Sequence, residues 1–197
     1  MALRLCVIAA GFTCWVLAAP AVWGQEQRTI TDGRVISGSL SFDGHATAGD
    51  FIGTTTTVSG QVSGAPDLTG VRGWVEASVR TLKTGNGKRD KDLNKSMESE
   101  KYPVLRFDLA RVSRKGGSAD SLAVMLHGAF RIHGVTRNAD LPATVRFAGS
   151  ELRVRTDFPL DLKDYHIGGL SKLLGMLKMY ERIEVHADLV FRLGSGG

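Results

Sequence analysis

The chain has 197 residues, a formal net charge of +5 at neutral pH, 43% hydrophobic residues and two cysteines. The positive surplus is mild, and its densest charged stretch, residues 87–101, carries both signs; the basic face with aromatic stacking residues that nucleic-acid binding requires is missing. No apolar stretch reaches the ~20 residues of a membrane-spanning helix, so stable helical insertion is not expected either.

Met1-Ala2-Leu3-Arg4 precedes an apolar run over residues 5–17 and the small, turn-prone Ala18-Ala19-Pro20-Ala21. One early positive charge, a short apolar core and small residues before a polar segment describe a secretory signal peptide. Residues 1–24 are assigned to it, although cleavage after Ala21 fits as well as cleavage after Gly24. Residues 25–197 then form one domain, and loss of Arg4 takes the charge from +5 to +4. Cys6 and Cys14 both lie in the leader. An exported domain without disulfides must rest on its core alone, which favours the periplasm over a disulfide-stapled extracellular setting. A retained anchor would be strained across a bilayer, and Cys14 follows Phe12-Thr13 where a lipidated cysteine wants small residues.

From Arg34 onward the dominant period is two, and eight strands are predicted over residues 34–43, 51–64, 71–83, 104–113, 121–133, 137–148, 151–160 and 180–193. The clearest is the last, where Ile183, Val185, Ala187, Leu189, Phe191 and Leu193 alternate with mostly polar neighbours. Leu105, Phe107 and Leu109 repeat the pattern, as do Val124, Leu126, Gly128 and Phe130, while Val75, Ala77 and Val79 oppose Trp74 and Leu82. Residues 51–64 are rich in Thr and Gly, so that strand rests on β-branched propensity. Turn residues fall between the strands at Gly44-His45, Pro66-Asp67, Lys115-Gly116-Gly117-Ser118, His133-Gly134-Val135 and Gly149-Ser150. Eight strands of similar length suit a closed all-β, up-and-down antiparallel barrel just wide enough for one small ligand. Two segments break the rhythm. Residues 88–99 are polar and predict a short exposed helix between the third and fourth strands. Residues 162–179 place Leu170, Leu173, Leu174, Leu177 and Met179 on one helical face, either as a plug closing the barrel end or as the lip through which a ligand enters.

Ordered blocks carry a family likeness. Leu82-Lys83-Thr84-Gly85, Arg89-Asp90, Lys101-Tyr102-Pro103-Val104-Leu105-Arg106-Phe107, His127-Gly128 to His133-Gly134-Val135-Thr136-Arg137, Asp161-Leu162-Lys163-Asp164-Tyr165 and Ile183-Glu184-Val185 follow one another at the proper spacing. In these the chain resembles the YceI-like family. The resemblance implies a lipocalin-like, usually periplasmic barrel enclosing a polyisoprenoid or similar long-chain amphiphile, often as a homodimer. Two departures stand out: the first strand, Arg34-Val35-Ile36-Ser37-Gly38, lacks an early aromatic residue, and His166 occupies a position where Gly is common.

The expected lumen residues are Leu105, Phe107, Leu109, Val124, Leu126, Phe130, Ile132, Val154, Phe158, Ile183, Val185, Leu189 and Phe191, all of which would equally fill a ligand-free core. Tyr165, His166 and the five apolar residues on the helical face from Leu170 to Met179 are expected at the lip. Arg89-Asp90 reads as architecture, with Arg89 pairing Asp92 or Glu98 or capping strand ends, and Gly134 reads as a tight hairpin. The five histidines offer no His-x-His or His-x-x-x-His spacing, so no metal or cofactor is expected. With no Gly-x-Ser-x-Gly elbow and no histidine in a recognisable catalytic setting, the chain is expected to bind rather than catalyse. A lipid-modifying enzyme, or a stress-response scaffold using its exterior, is the alternative.

Overall fold

Period-two alternation is realised as nine antiparallel strands: β1 (Gly33–Gly44), β2 (Phe51–Thr55), β3 (Val58–Ser63), β4 (Arg72–Ser78), β5 (Val104–Gly117), β6 (Ser121–Ile132), β7 (Val135–Ala148), β8 (Glu151–Asp161) and β9 (Arg182–Leu193). The computed structural model describes residues 30–46, 49–167 and 180–194. β2 and β3 are two halves of the second expected strand. β2 pairs with the end of β1 from Leu40 to Gly44, whereas β3 pairs with its beginning at Gly33 and Arg34. The remaining strands follow in chain order, and β1 pairs with β9 to close the sheet into an eight-stranded barrel.

Two irregularities decide which way side chains point. β5 bulges between Leu109 and Arg111, so that Val112, rather than Arg111, returns to the buried face. An extra residue in one strand reverses the inside-outside phase beyond it. β4 stops at Ser78 and turns through a 3-10 segment, Val79–Thr81, which buries both Val79 and Leu82 despite their odd-even spacing. The strand predicted to reach residue 83 therefore ends five residues early.

Helix α1 (Gly87–Ser96) starts where expected. Asn86 caps it by accepting from the Lys88 and Arg89 amides, and Asp90 accepts from the Thr84 amide at 2.9 Å and its hydroxyl at 2.7 Å. It is not merely an exposed helix. Leu93 and Met97, four residues apart on one face, are buried in the barrel-end core. Arg89 pairs with neither Asp92 nor Glu98; its guanidinium lies 4.1 Å from the Phe51 ring centroid.

Candidate functional site

The inward faces of the strands enclose a cavity of about 230 Å³ that extends from Ile30 and Leu68 at one end to Leu93 and Met97 at the other. Its walls are formed mainly by aliphatic and aromatic side chains. Phe107, Phe130 and Phe158 form a row across it, with ring centroids 4.9 Å and 5.3 Å apart. Gly128 makes room for that row, because a Cβ there would come within 2.6 Å of the Phe107 ring. Buried Thr156 turns its hydroxyl to the Pro142 carbonyl at 2.8 Å, so it presents no free donor. The Ser96 hydroxyl, at the α1 end, borders the cavity and is buried with no hydrogen-bond partner among the described residues.

Twelve of the lumen residues read from the sequence border this cavity: Leu105, Phe107, Leu109, Leu126, Phe130, Ile132, Val154, Phe158, Ile183, Val185, Leu189 and Phe191. Val124 does not. It is fully buried in the cluster around Val112, Leu122 and Val145, where it fills the wall. Sequence reasoning missed Leu40, Phe42, Val58, Val62, Leu93 and Met97, which also border the cavity. Leu40 and Phe42 alternate with serines and offered a signal, whereas Leu93 and Met97 were masked by the polarity of their helix.

Of the expected lip, Leu170, Leu173, Leu174, Leu177 and Met179 lie outside the described residues. Tyr165 is buried in the barrel-end core, where burial pushes its hydroxyl pKa up. His166 is exposed, at φ 56°, ψ 25°, and caps the 3-10 turn Leu162–Tyr165. That left-handed conformation accounts for the preference for Gly at this position. The imidazole is not among the cavity-lining groups.

The remaining motif blocks brace the end of the barrel near α1. Ile132 pairs with Val135 across a two-residue turn in which His133 and Gly134 both have positive φ, 51° and 76°, the requirement of a type I′ hairpin. His133 donates from Nδ1 to the Tyr165 carbonyl at 3.0 Å and packs edge-on against Tyr102 at 4.8 Å. Arg137 donates to the Asp164 carbonyl at 2.7 Å. On the outer wall, burial works to raise the Asp108 pKa, but hydrogen bonds from Arg106 and Arg131 outweigh it and hold the carboxyl below the usual range. Of these groups Arg106 borders the cavity, whereas Asp108, Arg131, His133 and Arg137 do not. No group of three metal-ligating side chains occurs among the described residues.

The sequence pattern of the YceI-like domain matches residues 36–191. The chain belongs to the YceI-like family. Two solved structures show the same fold. A polyisoprenoid-binding domain from Saccharophagus degradans superimposes with a TM-score of 0.71 at 16% identity, covering 84% of this chain and 99% of its own. BcnA from Burkholderia cenocepacia gives 0.67 at 16% identity, covering 78% and 95%. No curated protein matches the sequence. Within the YceI-like barrel, the motif blocks named above are the braces of one barrel end, and the cavity lies directly beneath them.

Proposed function

We propose that this YceI-like protein is an exported, periplasmic carrier that sequesters a long apolar chain, of the isoprenoid, isoprenoid-quinone or related amphiphile class, in its lumen. The apolar cavity inside the barrel is the observation that carries this reading. Its 230 Å³ exceeds the roughly 150 Å³ that suffices to admit a benzene-sized molecule, and at about 30 Å³ per water-sized unit it has room for roughly eight methylene-sized groups. At about 0.8 kcal/mol per buried methylene, that is about 6 kcal/mol gross, before the cost of ordering a flexible chain. A longer chain requires the Phe107, Phe130 and Phe158 row or the α1 cap to give way. The unpartnered Ser96 hydroxyl makes the α1 end the favoured position for the ligand's polar group, since a buried hydroxyl without a partner is costly.

Native mass spectrometry of protein recovered from its own periplasm, followed by organic extraction, tests the proposal. The expected result is a stoichiometric adduct that extraction releases as a single prenyl-type lipid. Recovery of bare protein that also takes up nothing from a mixture of prenyl alcohols and quinones would refute it.

A further inference from the structure

The outer face of the barrel holds a polar chain that the lumen does not use. Ser113 on β5 has its Oγ 2.8 Å from Nε2 of His127 on β6, and Nδ1 of the same ring is 2.7 Å from Oδ1 of Asp140 on β7. The direction of the chain follows from its chemistry. A carboxylate only accepts, so the Nδ1 proton of the neutral ring is given to Asp140; Nε2 is then a bare lone pair, and the Ser113 hydroxyl must donate to it. We propose that Ser113 is an activated nucleophile, with His127 as its general base and Asp140 holding the ring, and that this face hydrolyses small activated carboxylic esters.

The β5 bulge is what assembles the site. Before it, Phe107 and Leu109 face the lumen, and unbroken alternation would carry Arg111 and Ser113 inward after them. The shift between Leu109 and Arg111 places Arg111 directly opposite His127 and Ser113 opposite Met125, while Val112 is buried between them. Bulges recur beside active sites because they re-aim side chains in this way. His127 and Asp140 are themselves direct cross-strand partners, and inward-facing Leu126 and Leu141 set their outward direction. The His127 side chain is 21% exposed and that of Asp140 67%, so the base is partly shielded while the site stays open to water.

Two neighbours fit the reaction. Arg111, exposed and without a polar partner among the described residues, stands beside Ser113 on the same face of β5 and supplies a cation for a developing oxyanion. Met125 and Pro142, cross-strand partners in the row of Ser113, give a small acyl or aryl group an apolar footing. In acylation the Ser113 Oγ bonds to the carbonyl carbon as its proton passes to His127 Nε2. The bond to the leaving alkoxide or phenoxide then breaks, and the imidazolium returns the proton to it. In deacylation His127 takes a proton from water, whose oxygen attacks the acyl carbon; the acid leaves and Ser113 regains its proton. The shallow face has no deep acyl cleft, so short acyl groups are the substrate class. The reaction is independent of what the lumen holds.

Purified protein is treated with a fluorophosphonate probe and peptide-mapped, and hydrolysis of p-nitrophenyl acetate by the same protein is followed. The adduct is expected on Ser113. Ser113→Ala and His127→Gln should each lower turnover by roughly a hundredfold, the lower end of general-base contributions. Binding of an apolar probe in the lumen, read in the same samples, should stay unchanged and shows that the variants are folded. Absence of an adduct on wild-type Ser113, or turnover in Ser113→Ala equal to that of the parent, would overturn the proposal; the first readout needs no variant at all.

Discussion

Leu126→Trp tests whether the lumen is a binding space or a packed core. Leu126 borders the cavity where the two halves of the barrel interior meet, packing against both hydrophobic clusters. An indole there occupies about 60 Å³ more than the isobutyl group, close to two water-sized volumes of the 230 Å³ available. Two fewer methylene-sized groups can then be buried, at about 0.8 kcal/mol each. The expected loss is about 1.6 kcal/mol, or roughly fifteenfold in affinity. The assay is titration of an environment-sensitive apolar dye, with far-UV circular dichroism and the urea midpoint as controls. Because the added ring fills existing space, the fold should persist with less than the usual overpacking penalty of about 1 to 3 kcal/mol. Phe130→Trp serves as an independent repeat. Undiminished dye affinity in both variants, with the fold intact, would refute the reasoning, because a ligand that ignores the filled lumen is bound somewhere else.

Leu93→Ala removes the α1 contact that closes one barrel end, and should cost about 2 to 3 kcal/mol in urea unfolding and speed release of the dye in stopped-flow displacement. Gly134→Ala forces a Cβ to within 2.6 Å of the Tyr102 ring at a residue with φ 76°, and should destabilise by more than about 1 kcal/mol; an unchanged urea midpoint would count against the type I′ turn. His186 donates to Asp157 at 2.6 Å and faces Asp43 at 3.3 Å. The bond to Asp157 raises its pKa above 6.5, burial opposes the rise, and Asp43 adds to it. This contribution to stability is therefore complete below the unfolded value and lost as pH rises through the folded one. The urea midpoint should fall between about pH 6 and about pH 9 by more in the parent than in His186→Gln, and equal slopes would exclude this pair as the cause.

Strands with one dry and one wet face were legible wherever the alternation ran unbroken, as in β9, where Ile183, Val185, Leu189 and Phe191 all border the cavity. What escaped were local changes of phase. The bulge after Leu109 cannot be read from composition, since both outcomes leave the same residues in the same order. It alone decides that Ser113 meets His127 rather than the lumen. The break between Thr55 and Val58 is equally silent, because threonines suit either a continuous or an interrupted strand. Helix α1 was placed correctly and its role misread, for two apolar residues among so many charges look like a solvated surface until a barrel end needs closing. The Ser113, His127 and Asp140 chain spans three strands and two hairpins, so no local motif could announce it.

The closure of β1 on β9 has a consequence for how the chain folds. Apart from the short β1–β3 pairing, which skips only β2, the other ladders join consecutive strands, whereas this one brings Gly33 against Leu193, from opposite ends of the described chain. Hairpins can form early at small entropic expense, but the closing ladder must first overcome the entropy of joining distant ends. Until it forms, β1 and β9 each present a raw edge able to capture another chain. The interval between the last hairpin and ring closure is thus the period of greatest aggregation risk, and substitutions confined to the closing ladder should accelerate unfolding far more than they slow folding.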